Sequence, residues 1–260
     1  MKIVNKLRLI KQKLQEIFIN NESWKSKLTK KYPLLETLPI IPFNKIVSKD
    51  TTLHCFSFLD GTSTIPDLIL LQSLCEKFKD CTYFEIGTWR GESVKNVSEV
   101  CSKCYTLNLS KQQMLNLKMS EKYADLHGFF SNGVSNILHL KGDTLTYDFS
   151  TINQKFDVIF IDGDHRFKFV KNDTEKVFKY LMHENSIVVW HDYGFSPLKI
   201  NYQVYFAILE ALPMHLHQNL YQVSNTMCCI FTKQKYEVFP FDAMQEPNLQ
   251  FGVQLSYTEL

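Results

Sequence analysis

FDVIFIDGDHRF, from Phe156 to Phe167, is answered further along the chain by SIVVWHDYG, from Ser186 to Gly194. Each is a short apolar run, rich in β-branched residues, that stops abruptly in acids and histidines. A run of this kind reads as a strand buried on both faces, the kind found in a parallel sheet. Parallel α/β sheets bind ligands in the crevice outside the carboxyl ends of their strands. Two adjacent strands would therefore deliver Asp162, Asp164, His165, His191 and Asp192 to one rim. That rim is a candidate active site.

The rest of the chain supports such a sheet. Thr64 is placed to cap a helix with Pro66 in its first turn, running to about Lys79. A strand, TYFEIGT, and a helix from about Gly91 to Ser102 follow. CYTLNLS is a second strand ending at Ser110, and NILHLKGD a third ending near Asp143, after a polar helical stretch. FDVIFIDGD is the fourth, and a helix from Phe167 to Met182 leads to the fifth. Residues 202–212 read as helix, while LYQVSN and MCCIFTK read as a closing antiparallel pair. Strands alternating with helices imply βαβ units and an α/β, doubly wound, mostly parallel sheet. The expected organisation is a basic helix and irregular connection over 1–58, the sheet domain over 59–235 and a tail over 236–260. Pro33, Pro39 and Pro42 mark the connection, and the tail has no clear period.

Composition narrows the class. With 260 residues, 45% hydrophobic and 22% charged, the chain is an ordinary soluble domain by composition. No apolar run approaches the roughly 18 residues needed to span a bilayer. The N-terminus, MKIVNKLRLIKQ, interrupts its apolar residues with lysines, so a cytoplasmic location is expected. Seven cysteines at irregular spacing make a poor disulfide framework; Cys101 and Cys104 form a CxxC without a partner pair, and buried thiols are expected there and at Cys228 and Cys229. Nine of the 29 Lys and Arg and two of the 27 acids fall in residues 1–31, leaving 20 basic against 25 acidic residues for the remainder. A mildly acidic main domain argues against a nucleic-acid partner. Ile3, Leu7, Ile10, Leu14 and Ile17 form a helical stripe opposite a basic face. Three uses stand open for it: packing on its own domain, self-association into a homo-oligomer, and peripheral docking on an anionic membrane surface.

The loop Glu85-Ile86-Gly87-Thr88-Trp89-Arg90-Gly91 follows the first strand and opens a helix. Glycine there lets the backbone approach a ligand closely. A dinucleotide loop would read G-x-G-x-x-G, but Trp89 stands where the second glycine would clear the pyrophosphate, which argues against NAD. An acid two residues before the first glycine suits a cofactor carrying an ammonium group. At this point the chain resembles the class I S-adenosylmethionine-dependent methyltransferases, and more narrowly the small-molecule O-methyltransferases carrying EIGTxxG, FIDGDH and HDY. The blocks stand here as EIGTWRGES, FIDGDHRF and HDYG, in order and on the expected elements, and the resemblance covers about Leu59 to Lys233. It implies a Rossmann-like sheet of seven strands, the last antiparallel. It also implies an S-adenosyl-L-methionine site, with Glu85 and Gly87 by the methionine part, Asp143 by the adenine, and Thr88, Gly91 and Asp162 completing the set.

Two positions depart from that pattern. Asn108 stands where the family usually places an acid for the ribose hydroxyls, and Glu184-Asn185 replaces the usual Gly-Gly before the fifth strand. An amide still accepts one hydrogen bond and donates another.

Methyl transfer to oxygen requires a positioned hydroxyl and a route for its proton. A divalent cation such as Mg²⁺ or Mn²⁺ lowers that barrier, and Asp162, Asp192 and His191 are the candidate ligands; a nitrogen donor favours a softer metal than magnesium. Asp164 or His165 would then be the general base, acting on a small hydroxylated acceptor such as a sugar. Plainer roles stand beside these. Gly87 and Gly91 serve equally in a tight turn, Asn108 as a strand-end cap, Asp162 as a helix cap, and His191 as a buried, satisfied histidine oriented by Asp192. The other histidines lack such company. Rival functions are a nicotinamide-dependent oxidoreductase, a non-catalytic protein of the same fold docking through its N-terminal helix, and an RNA methyltransferase, which would need a basic groove.

Overall fold

The computed structural model describes residues 20–260. The stripe Ile3, Leu7, Ile10, Leu14 and Ile17, with the self-association and membrane-docking options that depend on it, lies outside the described residues. Residues 20–31 form a helix, α1. In chain order there follow β1 (Ile40–Ile41), α2 (Ile65–Cys75), β2 (Thr82–Ile86), α3 (Glu92–Ser98), β3 (Lys103–Asn108), α4 (Lys111–Asn116) and α5 (Glu121–Asp125). The second half comprises β4 (Ile137–Lys141), β5 (Phe156–Ile161), α6 (Phe167–Lys176), β6 (Met182–Trp190), β7 (Gly194–Ser196), β8 (Lys199–Ile200), α7 (Tyr202–Ala211), β9 (Leu220–Val223) and β10 (Cys229–Phe231).

The main sheet runs β1-β9-β10-β6-β5-β2-β3-β4, while β7 and β8 form a separate hairpin. β2, β3, β4, β5 and β6 are mutually parallel, and β10 is antiparallel to both β6 and β9, the expected closing pair. The sheet is the doubly wound, Rossmann-like one expected, with eight strands instead of seven. The additional strand is β1, which pairs parallel to β9 through Ile40↔Gln222 and Ile41↔Val223. It is only two residues long, at the edge of the sheet between Pro39 and Pro42, neither of which can donate a ladder hydrogen bond. A pair so short carries no alternation for a sequence reading to find. The tail covers this edge: Ile40 N donates to Phe239 O at 2.9 Å and Phe239 N returns to Ile40 O at 3.0 Å.

Three helices stop earlier than their patterns suggest. α3 ends at Ser98, short of Ser102. α2 ends at Cys75, short of Lys79, and α6 gives way after Lys176 to one π-turn, Val177–Leu181, because Met182 already belongs to β6.

Both faces of the sheet are covered, which is why its central strands read as unbroken apolar runs. On one face Leu70, Leu71, Leu74, Val94 and Val97 pack against Tyr83, Val158, Phe160 and Val189. On the other, Leu28, Val170, Val204 and Ile208 pack against Phe84, Ile159, Val188 and Trp190. Each such side chain contributes about 1.5–3 kcal/mol when fully buried. The cysteines are free thiols, buried except for the half-buried Cys55. Cys101 groups with Cys75 and Cys81, their sulfurs within 4.8 Å of one another, at the end of the sheet opposite the candidate rim.

Candidate active site

The chain leaves β2 for β3 and β4 on one side and returns to β5 and β6 on the other, so the switch point lies between β2 and β5. Ligands of open α/β sheets bind in the crevice at that point. Ile86 is in register with Leu107 and Ile161, and Ile161 with Trp190. The next residue on each strand is therefore Gly87, Asn108, Asp162 and His191, one rung across the carboxyl rim. Backbone bonds extend the ladder to it: Gly87 N donates to Leu107 O at 3.0 Å, Asp162 N to Ile86 O at 2.9 Å and His191 N to Ile161 O at 3.1 Å.

Gly87 has φ +91°, and a Cβ there would stand 2.1 Å from the carbonyl oxygen of Asp162. The loop thus lies directly against the end of β5. Gly91, at φ +88°, caps α3, and a Cβ on it would meet the Ser131 hydroxyl at 2.3 Å. Thr88 bonds Thr106 hydroxyl to hydroxyl. Trp89 adopts φ +41° and turns its ring onto Tyr123 and His127, with centroids 4.8 and 5.0 Å away.

Glu85 is fully buried beneath this loop. Ser93 Oγ donates to its Oε2 at 2.6 Å, Tyr83 OH to the same oxygen at 3.0 Å, and Thr106 Oγ1 to Oε1 at 3.4 Å. Burial nevertheless dominates and raises its pKa to about 8. Asn108, at the end of β3, buries an Nδ2 that has no hydrogen-bond partner among the described residues. Such a donor is costly to leave bare and fits a ligand oxygen, such as a ribose hydroxyl. Asp143 lies in the turn after β4, where its Oδ1 accepts from Leu145 N at 2.9 Å.

The acids and histidines converge as the two runs suggested. His191, nine-tenths buried, faces carboxylates from both nitrogens: Nδ1 lies 3.2 Å from Asp162 Oδ1 and 3.5 Å from Asp192 Oδ1, and Nε2 lies 3.3 Å from Asp67 Oδ2. Burial pushes its pKa down, but the three carboxylates outweigh burial and hold it well above the usual histidine value. Burial raises Asp162, with His191 partly offsetting it. Asp192, at φ +56°, is held low despite burial by His165 and His191. His165 Nδ1 lies 3.3 Å from Asp192 Oδ2, a contact that raises the imidazole. Asp164 lines the same cleft, but both its oxygens take the Arg166 guanidinium, which outweighs burial and lowers its pKa.

Asp162, His191 and Asp192 each offer one ligand atom within 4.8 Å of the others. With a cation displacing the Nδ1 proton of His191, one imidazole nitrogen and two carboxylates make a donor set that fits a divalent cation.

Two features had no signal in the runs. Asp67 is completely buried in the first turn of α2, yet reaches His191 from far along the chain. Its visible trace is the Thr64-Ile65-Pro66-Asp67 capping box, which explains only its bond to Thr64. The second is the strap over residues 54–62. Arg90, paired with Glu92 at 2.9 Å and almost fully buried, donates to Asp60 O at 3.0 Å, Leu59 O at 3.3 Å and Ser57 Oγ at 3.3 Å. Asn96 Oδ1 takes the amides of His54 and Cys55 at 2.9 and 3.1 Å. Ser63, next after the strap, donates to Asp162 Oδ2 at 3.4 Å.

A family model described as a methyltransferase domain matches residues 84–193. An uncharacterized protein of Acanthamoeba polyphaga mimivirus is 31% identical over 147 residues, 49% of this chain and 61% of that protein. The chain thus spans about three-fifths of the length of the curated relative it matches. Among solved structures, a Podospora anserina methyltransferase bound to S-adenosylhomocysteine is 17% identical with a TM-score of 0.47, over 69% of this chain and 83% of that one. An O-methyltransferase from Bacillus cereus, also in complex with S-adenosylhomocysteine, is 13% identical with a TM-score of 0.44, over 86% of this chain and 97% of that one. From Phe84 to Tyr193, the stretch that holds the loop and both acid-tipped strands, the chain carries the sequence pattern of a methyltransferase domain.

Proposed function

We propose that the chain transfers the methyl group of S-adenosylmethionine to a hydroxyl of a small acceptor such as a sugar, with a divalent cation at the rim. The observation that carries this reading is the contact of Gly87 with the end of β5, which sets a cofactor loop directly against an acid and histidine cluster. When bound, S-adenosylmethionine supplies a methyl on a sulfonium, and the cation supplies positive charge beside the acceptor oxygen. Gly87, Thr88 and Gly91 shape the loop that receives the amino-acid end. Glu85, buried beneath that loop, would be drawn to its charged form by an ammonium group there, Asn108 would offer its bare amide to the ribose, and Asp143 would border the adenine.

Asp162, His191 and Asp192 are the residues that would hold the cation. The rim would hold the acceptor hydroxyl in line with the sulfonium methyl group, with the carbon–sulfur electron pair leaving on sulfur. The hydroxyl proton goes to His165, which Asp192 orients; Asp164, clamped on both oxygens by Arg166, orders the loop. The segment ahead of α2, with its strap pinned by Arg90, covers the site, and the tail beyond Tyr236 completes the domain's edge. No helix among the described residues is long and apolar enough to cross a membrane.

The test is transfer of labelled methyl from S-adenosylmethionine across a panel of hydroxylated metabolites, with Mg²⁺, Mn²⁺ or chelator. Transfer that needs a divalent ion and disappears in Asp162→Ala and Asp192→Ala supports the reading. Full activity surviving in both variants overturns the part played by the cation.

A further inference from the structure

We propose that Asp67 is the positioning residue of the rim: its carboxylate takes the Nε2 proton of His191, so that Nδ1 presents a lone pair toward Asp162 and Asp192. The proposal rests on the reading of the rim as a cation-assisted methyl-transfer site. Metal-bound imidazoles almost always donate their other N–H to an oxygen that fixes tautomer and ring orientation. Here the required oxygen, Asp67 Oδ2, lies 3.3 Å from Nε2. On the other side of the ring, Nδ1 lies 3.2 and 3.5 Å from the Asp162 and Asp192 oxygens.

Asp67 also lies within 4.8 Å of His191 and Cys228 through their ligand atoms, but its carboxylate is already engaged on both oxygens. Thr64 N and Thr64 Oγ1 donate to its Oδ2 at 2.9 and 2.5 Å. Met227 N and Cys228 Sγ donate to its Oδ1 at 2.8 and 3.6 Å. Both oxygens are saturated, and the residue has no exposed surface. A carboxylate buried this deeply and held from the start of α2 and from the β9–β10 turn is fixed in place. Its orientation in turn fixes the ring. Because the ring contributes nitrogen, the completed set suits a first-row transition ion such as Mn²⁺ better than Mg²⁺, which prefers oxygen alone.

The experiment uses the full chain. Mn²⁺ binding is followed by loss of the free-ion EPR signal in wild type and Asp67→Asn, with S-adenosylhomocysteine binding measured on the same samples. The asparagine variant is expected to bind Mn²⁺ about 10- to 100-fold more weakly, with cofactor-product affinity unchanged. A loss smaller than tenfold overturns the proposal. So does a wild type that binds no Mn²⁺, whereas loss of S-adenosylhomocysteine binding in wild type would instead count against the methyltransferase reading. Should Asp67→Asn fail to fold, long-range ¹H–¹⁵N spectra of wild type with Zn²⁺ read the tautomer directly. Metal-bound Nδ1 with protonated Nε2 supports the proposal, and the reverse overturns it.

Discussion

Gly87 and Asp162 touch through their backbones: a Cβ on the glycine would stand 2.1 Å from the carbonyl oxygen of the aspartate and 2.6 Å from its carbonyl carbon. The contact joins the loop after β2 to the tip of β5. It requires both a positive φ and the absence of a side chain, and only glycine supplies the two together. Gly87→Ala therefore costs stability twice, through the left-handed backbone and through a clash that no rotamer relieves. The expected loss is about 2 kcal/mol or more, read from denaturant midpoints at unchanged slope. A variant within about 0.5 kcal/mol of wild type would show that the loop is not seated on β5.

Arg90 is expected to be as sensitive. It is buried with Glu92 and donates to the strap, so truncation leaves a buried carboxylate without its cation, held only by the Ser57 and Thr62 hydroxyls, and bares carbonyl oxygens. Arg90→Ala should cost roughly 3–5 kcal/mol, and Arg90→Lys should recover only part of it because an ammonium cannot reproduce the fork. Limited proteolysis checks the cause: new cleavage should fall within residues 54–62. Cleavage elsewhere would mean that the strap is held by other contacts.

Glu85 carries a pH prediction. Its folded pKa of about 8 lies above the ordinary 4.5, chiefly because it is buried. The unfolded chain loses this proton near 4.5 and the folded chain only near 8, so across that window the folded state binds the extra proton. The stabilising share is whole below the unfolded value and is lost as pH rises toward the folded one. Glu85→Gln has no proton to lose, and its stability should fall less between those limits, by a few kcal/mol at most. Parallel pH–stability curves for the two proteins would contradict the burial.

The base assignment separates two neighbours. His165→Ala should lower turnover by about 10²- to 10⁴-fold, while Asp164→Asn, which removes a carboxylate already neutralised by Arg166, should change it far less. Single-turnover methyl transfer distinguishes them, and a larger loss in Asp164→Asn would reverse the roles.

Much of the fold was legible because buried parallel strands cannot hide: FDVIFI and SIVVW are apolar on both faces and end where water begins. The rim was legible for the same reason, since Asp162 and His191 are the first polar residues past those runs. Asp67 was not. Its capping role satisfies every local rule, and its contact with His191 comes from packing α2 beside the β9–β10 turn, which no local pattern encodes. β1 was invisible as a two-residue pair between prolines, and the thiol cluster joins Cys75 at the end of α2 with Cys81 and Cys101 in the connections before β2 and β3, with no common spacing.

Calorimetric titration with S-adenosylhomocysteine, with NAD as the control, tests the central claim most directly. The loop seated on β5, the bare amide of Asn108 and Trp89 in place of a second glycine predict micromolar binding of S-adenosylhomocysteine and none of NAD. Absence of S-adenosylhomocysteine binding, or binding of NAD in its place, would contradict the account.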